Sequence, residues 1–198
     1  MNSQALWYLT RGSGVVALIL LTVSVLAGLL TESRWSTDRW PRFVVEALHR
    51  NLSLLGPVFL VIHIASAVVD SYVPISWLDA FVPFGGSYRP LWLGLGALSL
   101  DLFLAVAVTS LVRARIGYRR WRSVHWLAYG SWALAIFHGL GTGSDRHQTW
   151  FMVLNMAAVA SVVVAAALRF SRESPPRGPR RLRPVPVPVR SGTRGARR

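Results

Sequence analysis

The sequence predicts an all-α integral membrane helix bundle with about five transmembrane helices, on three observations. Hydrophobic residues make up 53% of the 198-residue chain and charged residues 15%, with a mean hydropathy of +0.41. A soluble domain of this size carries more charge. The apolar residues gather into long runs. The basic residues gather in alternate connections between those runs.

A membrane span needs roughly 20 residues at 1.5 Å rise each. Five segments reach or approach that length: about 6–30, 44–69, 91–112, 124–140 and 150–168. The first is not a cleavable leader, because it lacks a basic start and its apolar run is too long. Residues 71–90 are the longest connection. Their three prolines, Gly-Gly pair and aromatics read as an ordered loop lying on the membrane surface.

All 22 basic residues are arginine, and ten of them lie between Arg169 and Arg198. The connection after the first span holds Arg34, Arg39 and Arg42, and the one after the third holds Arg113, Arg115, Arg119, Arg120 and Arg122. With five spans, these and the tail fall on one side. The positive-inside rule then puts the N-terminus outside and the C-terminus in the cytoplasm. Residues 1–170 form the membrane domain. Residues 171–198, rich in Arg and Pro, form a disordered cytoplasmic tail that cannot bury a core. The net charge of +14 is therefore mostly a tail property, suited to anionic inner-leaflet lipid. No nucleic-acid partner is expected, since the tail lacks aromatic residues to stack bases.

Cysteine is absent, which excludes disulfides, Fe–S clusters and thiolate zinc sites. Metal or cofactor chemistry then rests on histidine, carboxylate or methionine. Four of the five histidines fall in two segments that run in the same direction. His49 and His63 lie in the second, His125 and His138 in the fourth. His49 matches His125 in depth and His63 matches His138, with ~20 Å between the two levels. Two facing imidazole pairs are the arrangement that holds two stacked b-type hemes, each iron taking one histidine from each helix. Fourteen residues return to within ~40° of the same helix face, so His49 and His63 share one. Thirteen residues leave His125 and His138 about 140° apart on an ideal helix. The pairing therefore requires either a local change of winding, for which Gly130–Ser131 is the expected place, or ligands that reach their hemes from different flanks.

The two histidine helices, with spacings of 14 and 13, resemble those of the ferric reductase-like transmembrane domain family. That family includes ferric-chelate reductases, NADPH oxidases and the heme-bearing membrane subunit of methionine sulfoxide reductase systems. The stretch FVPFGGSYRPLWLGLGALSLDLFLAVAVTSL (81–111) is similar to the loop and helix between the histidine helices of bacterial members. YLTRGSGVVALILLTVSVLAGLL (8–30) resembles their first helix. The resemblance covers roughly residues 8–170. It implies that His49, His63, His125 and His138 are axial, metal-ligating residues of two b-type hemes in a bacterial inner-membrane cytochrome. Many members have six helices where five are read here. No flavin or nicotinamide domain follows, and GLGTG (139–143) ends a membrane helix instead of following a strand. The donor is then a separate flavoprotein or a quinol, and the acceptor faces outward.

Two arginines are candidates for the heme propionates, Arg11 at the outer level and Arg50 beside His49. Arg11 snorkelling to headgroups and Arg50 pairing with Asp101 are equal alternatives. Asp101, near the middle of the third span, requires a partner, either Arg50 or a ligand imidazole. Trp92, Trp126, Trp132 and Trp150 read as belt or packing residues, and His147 as a loop residue. No bond-making residue is expected. Two rivals remain: a cofactor-free scaffold whose histidines make interhelical hydrogen bonds, and a single-heme cytochrome that oxidises quinol at the other histidine pair.

Overall fold

The computed structural model describes residues 3–32 and 40–171. Arg34, Arg39 and nearly all of the Arg/Pro-rich tail lie outside the described residues. Within them the chain is helical throughout: α1 (Ser3–Glu32), α2 (Arg42–Val69), α3 (Trp77–Phe81), α4 (Pro90–Leu111), α5 (Arg113–Ile116), α6 (Tyr118–His125), α7 (Leu127–Thr142) and α8 (Thr149–Ser171). Four of these, α1, α2, α4 and α8, are long and apolar enough to cross a membrane. The remaining expected span, 124–140, falls on the end of α6 and on α7, which join at Trp126 and are each too short to count among those four.

That junction places the predicted change of winding. Trp126 keeps helical angles, but the amide of Tyr129 reaches back three residues to the Trp126 carbonyl instead of four. Such 3₁₀ winding advances ~120° per residue instead of ~100°. The extra rotation carries His138 toward the face of His125. The tightening falls at 126–129, just before the Gly130–Ser131 pair where it was expected. Arg119, Arg120 and Arg122, read as loop residues, instead stand on α6.

The bundle is built from two antiparallel pairs, α1 with α2 and α4 with α7, closed by α8. Small residues let α4 and α7 approach closely. The Ser99 hydroxyl donates to the Ser131 carbonyl at 2.8 Å, and the Ser131 hydroxyl donates to the Ser99 carbonyl at 2.9 Å. The core between the pairs gathers Leu18, Val25 and Leu29 of α1, Trp132 and Ile136 of α7, and Ala158 and Val162 of α8. The Trp132 indole N–H donates to Thr22 at 3.0 Å, tying α1 to α7 at mid-height. Replacing Trp132 with Phe keeps most of the packing but removes the bond to Thr22, whose hydroxyl retains its own bond to the Leu18 carbonyl at 2.8 Å. The expected cost is about 1–2 kcal/mol, read as a lower melting temperature in detergent.

The 71–90 connection is ordered, as expected. Ser76 and Asp79 form a reciprocal capping box that starts α3. Phe84 and Arg89 adopt positive φ of 65° and 39°. The Phe84 ring fills the space left by Gly94, where a Cβ would overlap it. Arg89 donates to the Gly141 carbonyl at 2.7 Å, and the Trp92 ring lies over Gly141. The start of α4 is thereby fastened to the end of α7.

Candidate functional site

Each histidine pair faces across from α2, His49 to His125 at the end of α6 and His63 to His138 on α7. The His49 and His125 ring centres are 6.3 Å apart, and those of His63 and His138 are 6.2 Å apart. The rings within each pair are nearly perpendicular, at 82° and 85°. His49 thus faces His125 and His63 faces His138, the pairing expected from their spacing.

Three of the four imidazoles are seated in the same way. His49 Nδ1 lies 2.8 Å from the Ser24 carbonyl, His63 Nδ1 2.9 Å from the Thr10 carbonyl, and His138 Nδ1 2.9 Å from the Trp92 carbonyl. A carbonyl oxygen only accepts, so Nδ1 carries the proton in all three and Nε2 keeps its lone pair. Four residues beyond each carbonyl stands a glycine: Gly28, Gly14 and Gly96. A Cβ at Gly14 would fall 2.8 Å from His63 Nδ1, and one at Gly96 closer than 3 Å to three ring atoms of His138. At Gly28 the fit is looser, 3.4 Å to His49. The missing side chain lets the ring lie against the neighbouring helix and reach its main chain. Ser24 adds a hydroxyl 3.3 Å from His49 Nδ1, itself 3.0 Å from the Ser53 hydroxyl.

These seats escaped the sequence reading. The fourteen-residue spacing of Gly14 and Gly28 repeats that of His49 and His63 on the antiparallel partner, and was the one available signal. Glycine is frequent in membrane helices, which hides such a pattern.

The charged candidates are placed less as expected. The Arg11 guanidinium forms an ion pair with Asp145 and lies 4.1 Å from the Trp7 ring centre. Its charge is therefore already matched by a carboxylate that the sequence reading did not connect to it. Arg50 is solvent- or lipid-exposed, away from a carboxylate among the described residues. Asp101 is partly buried and has no hydrogen-bond or ion-pair partner among the described residues, so the pairing expected with Arg50 or an imidazole is not formed. The reason is rotational: helix packing turns Arg50 outward while its neighbour His49 faces α1. At the opposite end from Arg11, Glu32 pairs with Arg122 and Arg169, joining the ends of α1, α6 and α8.

Near the His63–His138 level, Arg89, Pro90, Leu91, Trp92 and Arg146 line a pocket of about 420 Å³. His147 is exposed beside it and accepts from Arg146 Nε at 3.0 Å. Trp132 sits between the two levels, while Trp126 and Trp150 are about half exposed, as belt residues are. Among the described residues no cluster of three or more His, Cys, Asp or Glu could hold a metal ion unaided.

No curated protein and no solved structure matches the chain. A family model does, over residues 13–136, a stretch that includes His49, His63 and His125 and stops just short of His138. That match covers more than half of the sequence, and its description is the ferric reductase-like transmembrane component. The chain belongs to the ferric reductase-like transmembrane component family.

Proposed function

We propose that this protein carries electrons across a bacterial inner membrane through two bis-histidine b-type hemes, one held by His49 and His125 and the other by His63 and His138. The observation that carries the reading is the ring separation of 6.3 and 6.2 Å at the two levels. Two metal–imidazole bonds of about 2 Å, with roughly 1 Å from each ligating nitrogen to its ring centre, sum to about 6 Å. A macrocycle held by the two imidazoles of each level would supply the remaining ligands to its iron. The Nδ1 protonation of His49, His63 and His138 leaves the nitrogen that ligates free.

Heme supplies a one-electron couple when bound. The chain does the rest. A heme held by two histidines would have no site open to a further ligand, which favours electron transfer over ligand chemistry at iron. The carbonyls of Ser24, Thr10 and Trp92 fix ring orientation and tautomer. Trp132, Val25 and Ile136 keep the layer between the levels free of water. The arginine distribution orients the chain with its N-terminus outside, so electrons enter near His49–His125 from a separate flavoprotein or a quinol. They leave near His63–His138 to an outward acceptor.

The absorption spectrum of the purified, reduced protein tests this. A b-type α-band with two hemes per chain is expected. No α-band sinks the reading and leaves a scaffold, and one heme per chain leaves a single-heme quinol-oxidising cytochrome.

A further inference from the structure

The fourth imidazole lacks the seat that the other three share. Its place can be found by register. The seat of His138 on α4 is the Trp92 carbonyl with Gly96; fourteen residues along the same helix stand Val106 and Ser110. Here a serine replaces the glycine. Its hydroxyl donates to the Val106 carbonyl at 2.7 Å, and the Thr109 hydroxyl adds a second donor at 3.2 Å. The carbonyl that would take the His125 proton already accepts from two hydroxyls. His125 Nδ1 is buried and has no hydrogen-bond partner among the described residues.

Something else positions the ring. The Trp121 indole lies one turn earlier on α6 and stacks on His125, with ring centres 4.8 Å apart and a 30° angle. Its N–H donates at 3.1 Å to the same Ser110 hydroxyl. Ser110 therefore both blocks the carbonyl seat and anchors the stacking residue.

We propose that Ser110 and Trp121 are positioning residues for His125, replacing a backbone hydrogen bond with a stacked indole, and that this gives the His49–His125 site the higher reduction potential of the two. The inference rests on the heme reading above. A ligand imidazole that donates its other N–H to a carbonyl is a stronger electron donor and favours the oxidised metal. His63 and His138 both have that bond, whereas the other site has it on His49 only.

The experiment is a potentiometric titration of the full-length protein with its hemes bound, followed optically and by electron paramagnetic resonance. Two reduction steps are expected. His63→Ala, which lacks one site, identifies the step belonging to His49–His125, and this step should be the more positive. Ser110→Gly removes the nearer of the two hydroxyl donors from the Val106 carbonyl and opens room beside it, and should move that step alone to more negative potential. Trp121→Leu should broaden the low-spin signal of that site and lower its heme occupancy several-fold, leaving the other site unchanged. A more negative step for His49–His125, a positive or absent shift with Ser110→Gly, or equal effects of Trp121→Leu at both sites overturns the inference. A protein with two hemes and no site-selective change refutes this inference alone; a protein with no heme refutes the functional reading with it.

Discussion

His63→Ala and His125→Ala are each expected to lower the heme content from about two per chain to about one. The two substitutions should remove different hemes. Each pair takes one imidazole from α2 and one from the α6–α7 segment, His125 at the end of α6 and His138 on α7, with 6.2–6.3 Å between ring centres. Alanine opens one axial position and leaves the opposite ring as the sole protein ligand. The other level lies ~20 Å away along the helices and keeps its own pair. Pyridine hemochrome assay per polypeptide, with spectra of the retained heme, checks this. Retention of both hemes in either variant would end the pairing scheme. His147→Ala is the control, since that residue is exposed in the connection before α8, and it should retain both.

The second large effect is expected from a single methyl group. Gly96→Ala puts a Cβ closer than 3 Å to three atoms of the His138 ring, and Gly14→Ala puts one 2.8 Å from His63 Nδ1. The ring must move off the helix that seats it, so overpacking of about 1–3 kcal/mol comes with the loss of a hydrogen bond of about 1 kcal/mol. Both variants should lose the heme of the His63–His138 pair and melt earlier. Gly12→Ala supplies the contrast, two residues from Gly14 on the same helix. A Cβ there meets nothing within 4 Å, and alanine should be neutral or stabilising by up to about 1 kcal/mol. Equal behaviour of Gly12→Ala and Gly14→Ala in heme retention would remove the seat from the account.

Much of the bundle was legible because a bilayer imposes length and polarity on each span. The helices α1, α2, α4 and α8 sit close to the apolar segments read from sequence, and the depth matching of the four histidines follows from counting residues along parallel helices. The thirteen-residue spacing of His125 and His138 pointed to a winding change, and one exists at Trp126. Its position was hidden because one i to i−3 bond at Tyr129 leaves no mark on composition. Rotation about each helix axis was equally hidden. It decides that Arg11 meets Asp145, 134 positions away in sequence, and that Asp101 faces no partner among the described residues. Seating of the imidazoles depends on which main-chain atoms of α1 and α4 lie opposite, and a sequence carries that only as glycine spacing.

The division of the molecule into two antiparallel pairs bears on its assembly. The α1–α2 half carries His49 and His63 with their own seats, and the α4–α7 half, with the preceding α6, carries His125 and His138, the latter with its seat on α4. Neither half owns a complete imidazole pair. A grip by two imidazoles exists only after the halves close. Anything bound between the pairs is then linked to closure by mass action, stabilising the joined state in proportion to its free concentration. Two fragments divided in the 71–90 connection should accordingly reassociate best when cofactor is abundant. Starvation for that cofactor should leave the newly made chain open along the α2–α7 seam, exposed to quality-control proteolysis.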